Sequence, residues 1–129
     1  NNTDYSEFIK DLNREMLESV NIALNAGIDR DKIIIDPGVG FGKEYIHNIL
    51  CLRHLDEFCK LGYPVLLGTS RKSVIGLTLD LPKDERVEGT LVTTVIAVMN
   101  RCMFVRVHDV KQNYRTIKMT EGIYGRNSN

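Results

Sequence analysis

Apolar residues along this chain fall into two patterns, one typical of amphipathic helices and one typical of buried strands. Between residues 5 and 24 they recur every three or four positions, which predicts a long helix that ends at Gly27. Three short apolar runs without alternation come later, at residues 32–35, 63–68 and 103–107. Runs of this kind are typical of strands that are buried on both faces, as in parallel sheets.

Helical patterns follow each of the predicted strands. The second helix is predicted to start with Asn48 as its N-cap and to stop at Gly62. A third helix covers residues 83–100, after an irregular connection over residues 70–82. The last helix is predicted to begin directly after Asp109.

Strands that alternate with helices imply a parallel sheet with right-handed crossovers. We expect one α/β domain over residues 1–129, with a leading helix and three strand–helix units. The last helix should end near residue 121, leaving a flexible tail over residues 122–129. A complete barrel of eight such units takes roughly 250 residues, so this chain would be about half of one. A small doubly wound sheet is the alternative that needs no missing half.

The composition is that of an ordinary globular domain, with 43% hydrophobic residues, 26% charged residues and a formal net charge of zero. Zero net charge removes any general attraction to nucleic acids or acidic membranes. No apolar run approaches the roughly 20 residues of a membrane span. Cys51, Cys59 and Cys102 lack metal-ligand spacing, so we expect reduced thiols in a cytoplasmic protein.

A polar motif follows each predicted strand. The motifs are Asp36-Pro37-Gly38-Val39-Gly40-Phe41-Gly42-Lys43, Ser70-Arg71-Lys72-Ser73 and Arg106-Val107-His108-Asp109. Because the carboxyl ends of parallel strands meet at one edge of a sheet, we expect Asp36, Lys72 and His108 to lie at one rim. The side chains that can carry positive charge, which suggest an anionic ligand, are Arg71, Lys72, Arg106 and His108.

The third motif points to a phosphate or diphosphate site. Arg106 and His108 are two positions apart, so their side chains lie on the same side of the strand. The next helix begins at once, and the dipole at its N-terminus favours an anion. A structural salt bridge from Arg106 to Asp109 or to a neighbouring carboxylate is the alternative.

The other two motifs are less specific. The glycine-rich loop is not a P-loop, because Glu44 stands where that motif has Ser or Thr. Asp36 either binds a guanidine-like edge of a ligand or caps the glycine turn. The second motif is either a paired-cation site or a solvated basic loop, and Gly68 before it permits close approach of a substrate.

In order and spacing, these motifs resemble the C-terminal half of the dihydropteroate synthase family, folate-pathway enzymes built on a pterin-binding barrel. The resemblance covers about residues 4–121 and implies the C-terminal part of a TIM (β/α)8 barrel. It rests on Asp36-Pro37-Gly38, Gly40-Phe41-Gly42-Lys43, Asn48, Pro64-Val65, Gly68, Ser70-Arg71-Lys72-Ser73, Ile75-Gly76, Arg86, Gly89-Thr90 and Arg106-Val107-His108-Asp109-Val110.

The resemblance also implies a transferase. The family joins (7,8-dihydropterin-6-yl)methyl diphosphate to 4-aminobenzoate, giving dihydropteroate and diphosphate, and sulfonamides mimic the aminobenzoate. It implies Mg²⁺, a homodimer formed through the C-terminal helices, a cytoplasmic location, and no nucleic-acid or membrane partner. The family's magnesium ligand lies in the N-terminal half, so we expect no metal ligand in this chain and no activity from it alone.

The family's site residues carry over to the matching positions. Lys72, Arg106 and His108 are the expected catalytic residues, the lysine between pterin and aminobenzoate and the other two on the diphosphate. Asp36 is expected to bind the pterin ring. The full set of expected substrate-binding residues is Asp36, Phe41, Gly68, Ser70, Arg71, Lys72, Ser73, Arg106, Val107 and His108.

Other functions stay open beside this one. Cobalamin-dependent methyltransferases share the pterin-binding barrel, so a relative of those enzymes is one alternative. A module that binds phosphate without catalysis, or a fragment that serves only in assembly, is the other.

Overall fold

The computed structural model describes residues 2–126, and their side chains from residue 5 onward. The strands are β1 (Leu66–Leu67) and β2 (Phe104–Val105), and short 3₁₀ turns cover Arg30–Lys32 and Lys83–Glu85. The helices are α1 (Asn2–Asn25), α2 (Tyr45–Arg53), α3 (Leu55–Cys59), α4 (Ser73–Leu79), α5 (Val87–Met99) and α6 (Val110–Tyr124).

The sheet is parallel, as predicted. β1 pairs with β2, with Leu66 opposite Phe104. On the other side of β1, Ile35 forms a single parallel bridge with Val65. The three predicted strands are therefore neighbours in chain order and run in the same direction.

The strands are much shorter than the sequence predicts. The first one is reduced to the bridge at Ile35, because Lys32 belongs to the 3₁₀ turn Arg30–Lys32. β1 and β2 keep only two residues each. The Ile35 segment and β2 are the two edges of the described sheet, so each has a hydrogen-bonding partner on one side only.

The two faces of the sheet differ in how well they are covered. Ile35, Val65 and Leu67 lie beneath the helices and are 5%, 1% and 2% exposed. Ile34 and Phe104, on the opposite face by strand alternation, are 49% and 44% exposed. The sheet thus has one buried face and one open face.

The open face leads to the polar motifs. Asp36 comes two residues after Ile34, and Arg106 comes two residues after Phe104, so the period of two places them on that face. In a closed barrel this face is the interior, which side chains from all the strands fill. An open apolar face at this level is therefore expected where only part of a barrel is present.

The helices pack against the covered face and against one another: α1 contacts α2, α2 contacts α4, α4 contacts α5, and α5 contacts α6. The long first helix is confirmed. It buries Ile9, Leu12, Met16 and Val20 at the predicted spacing, and Gly27 with φ +91° ends it. No helix within residues 2–126 has the length and apolar character needed to cross a membrane.

The second predicted helix begins earlier than expected and is broken in two. α2 starts at Tyr45, with Glu44 as its N-cap, so Asn48 lies inside the helix and the predicted cap is wrong. Instead, the Asn48 side-chain oxygen accepts the backbone N–H of Gly40 at 2.8 Å. The chain then bends at His54, and α3 follows.

Residues 70–82, predicted to be irregular, contain the helix α4. Gly76 lies in the middle of α4 and lowers its helix propensity, so the sequence pattern did not indicate a helix there. The glycine is required because the Arg86 guanidinium lies against it, where a Cβ would stand. The third predicted helix, residues 83–100, is a 3₁₀ turn followed by α5.

The last helix runs further than the sequence predicts. α6 extends to Tyr124, and Gly125 with φ +68° ends it. Arg126 then folds back, and its Nη1 donates to the Val98 carbonyl at 2.8 Å. The rest of the predicted tail, residues 127–129, lies outside the described residues.

Candidate functional site

The three polar motifs come together where β1 and β2 end. Asp36 and Phe41 lie beside this point, because both are close to Lys72. Arg71 instead pairs with Asp109, and Ser73 lines a different cleft. A small cleft of about 120 Å³ opens there, lined by Gly68, Ser70, Lys72, Arg106, Val107 and His108.

Ser70 holds His108 from two sides. The Ser70 hydroxyl oxygen lies 2.8 Å from His108 Nδ1, and it accepts the backbone N–H of His108 at 3.0 Å. In the contact with Nδ1 either atom can be the donor, depending on the tautomer of the ring. These two contacts fix His108 in the wall of the cleft.

Arg106 lies across the end of β1, directly over Gly68. A Cβ at Gly68 would stand 2.7 Å from Arg106 Nη2 and 3.1 Å from Cζ, so only glycine leaves room for the guanidinium. Arg106 follows β2 instead of lying inside it, and it is exposed. Its charge is thus available to an anionic ligand.

Lys72 spans the glycine-rich loop and the cleft. Its Nζ donates to the Val39 carbonyl at 2.6 Å and lies 4.4 Å from the centroid of the Phe41 ring. Burial lowers the pKa of Lys72, the nearby Arg106 lowers it further, and Asp36 raises it. The ammonium is therefore fixed in place and easier to deprotonate than that of an ordinary lysine.

Asp36 both caps the glycine-rich loop and faces solvent. Its Oδ1 accepts the Gly38 N–H at 2.7 Å, as the capping alternative expects, and the residue is exposed. The loop is fixed from α2 by the Asn48–Gly40 bond and by Lys43, whose Nζ donates to the Gly38 carbonyl at 2.9 Å. Asp36 thus sits on a rigid loop with its carboxylate accessible.

The second motif sends its side chains in different directions. Arg71 Nη2 donates to Asp109 Oδ1 at 3.0 Å, so Asp109 pairs with Arg71 and the alternative Arg106–Asp109 salt bridge does not form. Ser73 lines a separate cleft next to α4. Of the four residues in the motif, Ser70 and Lys72 are the ones that reach the site cleft.

Some residues that shape the site were not predicted from the sequence to contribute to it. Lys43 and Asn48 fix the glycine-rich loop, and Arg86 and Thr90 hold the backbone of Arg71. Asn48 and Thr90 are buried polar residues within apolar helices, and a buried polar group requires a partner. That requirement was the available signal, although it does not name the partner.

The side chains of residues 5–126 do not form a magnesium site on their own. Mg²⁺ takes several oxygen ligands, usually carboxylates, waters and substrate phosphates. Within the described part of the chain, no group of three or more His, Cys, Asp or Glu side chains could hold a metal. At the rim, Asp36 bonds to Gly38 and Asp109 bonds to Arg71. The donor set therefore does not fit the ion.

Comparison with known proteins shows which family carries these motifs. The model of a family described as pterin binding enzyme matches residues 1–108. The chain belongs to the pterin-binding enzyme family.

The pterin-binding relatives are dihydropteroate synthases by name. The one from Clostridium beijerinckii is 52% identical over 126 residues, which is 97% of this chain and 47% of that protein. A Mycobacterium leprae relative, named inactive dihydropteroate synthase 2, is 38% identical over 91% of this chain and 40% of that protein. The chain therefore spans less than half the length of these curated relatives.

A solved structure of the same family confirms the fold class. Dihydropteroate synthase from Clostridium difficile, crystallised in the presence of pteroic acid, matches with a TM-score of 0.88 and 45% identity. The match covers 91% of this chain and 44% of that one. This chain is thus α/β and part of a TIM (β/α)8 barrel, and the small doubly wound sheet is excluded.

Proposed function

We propose that this chain is part of a dihydropteroate synthase, which joins (7,8-dihydropterin-6-yl)methyl diphosphate to 4-aminobenzoate. The observation that carries the proposal is the cleft where Lys72, Arg106 and His108 meet at the end of the strands. Family membership supports it, and so does the relative that was crystallised in the presence of pteroic acid.

Diphosphate release is the step that these residues assist most directly. The bond between the pterin methylene carbon and the diphosphate oxygen breaks, and the electron pair leaves with the oxygen. Arg106, His108 and the N-terminal dipole of α6 stabilise the negative charge that accumulates there. The pterin ring stabilises the methylene cation by resonance, so no covalent enzyme intermediate is needed.

The aromatic amine of 4-aminobenzoate then attacks the methylene carbon through its nitrogen lone pair and loses a proton to water. Lys72 lies between the two substrates and orients them, with the Phe41 ring as a flat apolar wall. The exposed carboxylate of Asp36 accepts N–H groups of the pterin ring. Sulfonamides occupy the aminobenzoate position because they carry the same aromatic amine.

Two residues of the second motif are assigned to the periphery of the aminobenzoate site. Arg71 and Ser73 flank Lys72 in the chain, and we retain them as outer residues of the aminobenzoate site. Gly68 and Val107 belong to the wall of the cleft. Gly68 contributes by leaving room for Arg106.

When bound, Mg²⁺ would neutralise part of the negative charge of the diphosphate. We propose that the ion is held by the diphosphate and by residues outside residues 1–129, because the donor set within the described part of the chain does not fit it. We also retain the cytoplasm as the proposed location. Residues 1–129 alone are proposed to be inactive, since the sheet face that leads to the cleft is open.

A two-step titration monitored by calorimetry separates this function from the alternatives. It uses the complete synthase of which this chain is proposed to be a part, called the full-length protein below. Pterin diphosphate is added first and a sulfonamide second, and both are expected to bind. A relative of the methyltransferases would bind the pterin and ignore the sulfonamide. A phosphate-binding module would bind free diphosphate as well as the pterin diphosphate, and an assembly fragment would bind neither ligand.

The pH dependence of the reaction should report Lys72. Burial lowers the pKa of this ammonium below its ordinary value of 10.5, so its charge is lost at a lower pH than that of an ordinary lysine. We expect kcat/KM to fall as pH rises through the lowered pKa, because the neutral amine no longer orients the substrates. In Lys72→Arg, whose guanidinium stays charged, this alkaline fall should vanish. The same fall in both proteins would contradict the role given to Lys72.

We propose a homodimer formed through the C-terminal helices. α5 and α6 pack together, and α6 exposes Tyr114, Met119 and Ile123 at its surface. Val92 on α5 is also exposed, whereas the other apolar residues between Leu91 and Ile96 are half-buried. Apolar surface of this kind marks an association site.

Sedimentation of the purified chain at tens of micromolar tests this interface. We expect a dimer, and we expect Ile123→Glu together with Met119→Glu to convert it to a monomer. Ile22→Glu changes an equally exposed apolar residue on α1 and should leave the dimer intact. A compact monomer of the unmodified chain would rule the interface out.

A further inference from the structure

The turn that carries Ser70 and Lys72 has an unfavourable backbone conformation at its centre. Arg71 has φ +58°, in the left-handed region that residues with a side chain rarely adopt. The Lys72 N–H donates to the Thr69 carbonyl at 3.0 Å, which closes a tight turn with Arg71 at its third position. The left-handed residue therefore lies directly between the two side chains that reach the cleft.

The start of α5 holds both peptide groups of Arg71. Arg86 Nη1 donates to the Arg71 carbonyl at 2.8 Å, and the Arg71 N–H donates to the Thr90 hydroxyl oxygen at 3.3 Å. The Thr90 hydroxyl donates in turn to the Arg86 carbonyl at 3.2 Å. Thr90 is 0% exposed, so water cannot replace this partner.

Arg86 is itself fixed in place. Its Nε donates to the Leu81 carbonyl at 3.0 Å, and its guanidinium lies where a Cβ at Gly76 would stand. A guanidinium presents several N–H donors in a fixed planar fork, which lets it bridge two carbonyls. A lysine has a single nitrogen and cannot reproduce this bridge with the same geometry.

We propose that Arg86 and Thr90 are positioning residues that hold Arg71 in its left-handed conformation and thereby place Lys72 against Val39 and Ser70 against His108. Neither residue lines the cleft of Lys72, Arg106 and His108. A rotation of either Arg71 peptide group would swing the neighbouring side chains out of the cleft. The role in catalysis rests on the proposed function, whereas the role in placing Lys72 does not.

Arg86→Lys in the full-length protein tests the proposal. The matched control is Arg14→Lys, at an exposed position of α1. We expect kcat to fall about tenfold, the scale of a small misplacement of a reacting group, with little change in Tm. The pKa of Lys72, followed by NMR of its labelled side chain, should rise toward the ordinary lysine value as the ammonium becomes exposed. The control should change neither quantity.

An Arg71→Gly background separates positioning from a general structural role. Glycine adopts φ +58° without restraint, so Arg86→Lys should have a much smaller effect on the Lys72 pKa there. Equal effects in both backgrounds would overturn the proposal, and so would an unchanged Lys72 pKa in Arg86→Lys. If Arg86→Lys does not fold, Thr90→Val should raise the Lys72 pKa and Thr90→Ser should not, and the reverse result would overturn it.

The NMR readout keeps the two hypotheses apart. If the unmodified protein makes no dihydropteroate, the proposed function fails. A rise in the Lys72 pKa on Arg86→Lys would then still support the positioning role. If the unmodified protein is active and Arg86→Lys matches it in kcat and in the Lys72 pKa, the positioning role alone fails.

Discussion

Replacing Arg106 by alanine is expected to weaken binding of the pterin diphosphate to the full-length protein by about 2–5 kcal/mol, the scale for removing one partner of a desolvated, hydrogen-bonded charge pair. Arg106 has no carboxylate partner within ion-pair distance among residues 5–126, so its charge is available to the ligand. Like-charge Lys72 lies close enough to feel it, and an anion between the two relieves that repulsion. The loss should appear in both the affinity and the rate.

Calorimetry with the pterin diphosphate measures this effect. The matched control is Arg14→Ala, which removes one positive charge from an exposed position of α1, where Arg14 Nη2 donates to Asp11 at 3.4 Å. It should bind the ligand as the unmodified protein does. Unchanged affinity in Arg106→Ala, or an equal loss in both variants, would remove Arg106 from the diphosphate site.

Gly68→Ala should reduce kcat/KM about a hundredfold, the scale expected when a reacting or binding group is displaced by about 1 Å. The new Cβ would stand 2.7 Å from Arg106 Nη2. Because that atom is the far end of a flexible side chain, the guanidinium moves and the fold survives. The variant should therefore lose function while its Tm stays near that of the unmodified protein.

The control for this glycine is Gly122→Ala on α6. A Cβ there meets nothing within 4 Å, so both activity and Tm should be kept. Steady-state kinetics and a thermal melt on each protein complete the comparison. Full activity in Gly68→Ala would show that the guanidinium does not need its place over β1, and a large drop in Tm would show that the glycine serves the fold instead.

Much of the fold follows from local patterns. The 3.6 period identifies α1, and runs without alternation identify the parallel segments at Ile35, β1 and β2. The rule that carboxyl ends of parallel strands share an edge predicts Asp36, Lys72 and His108 at one rim. In the structure Lys72 and His108 line one cleft, and Asp36 lies near Lys72. The helix and the strands are identified from patterns within a few neighbouring residues, and the rim follows from the parallel order of the strands. Neither inference requires knowing which distant side chains are in contact.

What the sequence did not reveal depends on contacts between distant segments. α5 looks like an apolar helix, yet it buries Thr93 and Thr94. Thr93 bonds to the Thr69 hydroxyl at 2.6 Å, and Thr94 donates to Asn113 Oδ1 at 2.6 Å. The threonines thus join the end of β1 to the start of α6, and no local pattern names either partner.

The same reason explains which partners two polar residues near the site take. Asp109 pairs with Arg71 from another motif, not with Arg106 from its own. Asn48 binds the glycine-rich loop instead of capping its helix. Asn48 was expected to cap its own helix, and the Arg106–Asp109 salt bridge was the alternative to an anion site. In both cases the partner is a group from another segment that the fold brings close.

The most direct test is an assay of the full-length protein with both substrates, in which dihydropteroate and diphosphate are quantified separately. The proposed function predicts equal amounts of the two products, a large loss of both in Arg106→Ala, and no product from residues 1–129 alone. Diphosphate without dihydropteroate, or no product from a folded full-length protein, would contradict it.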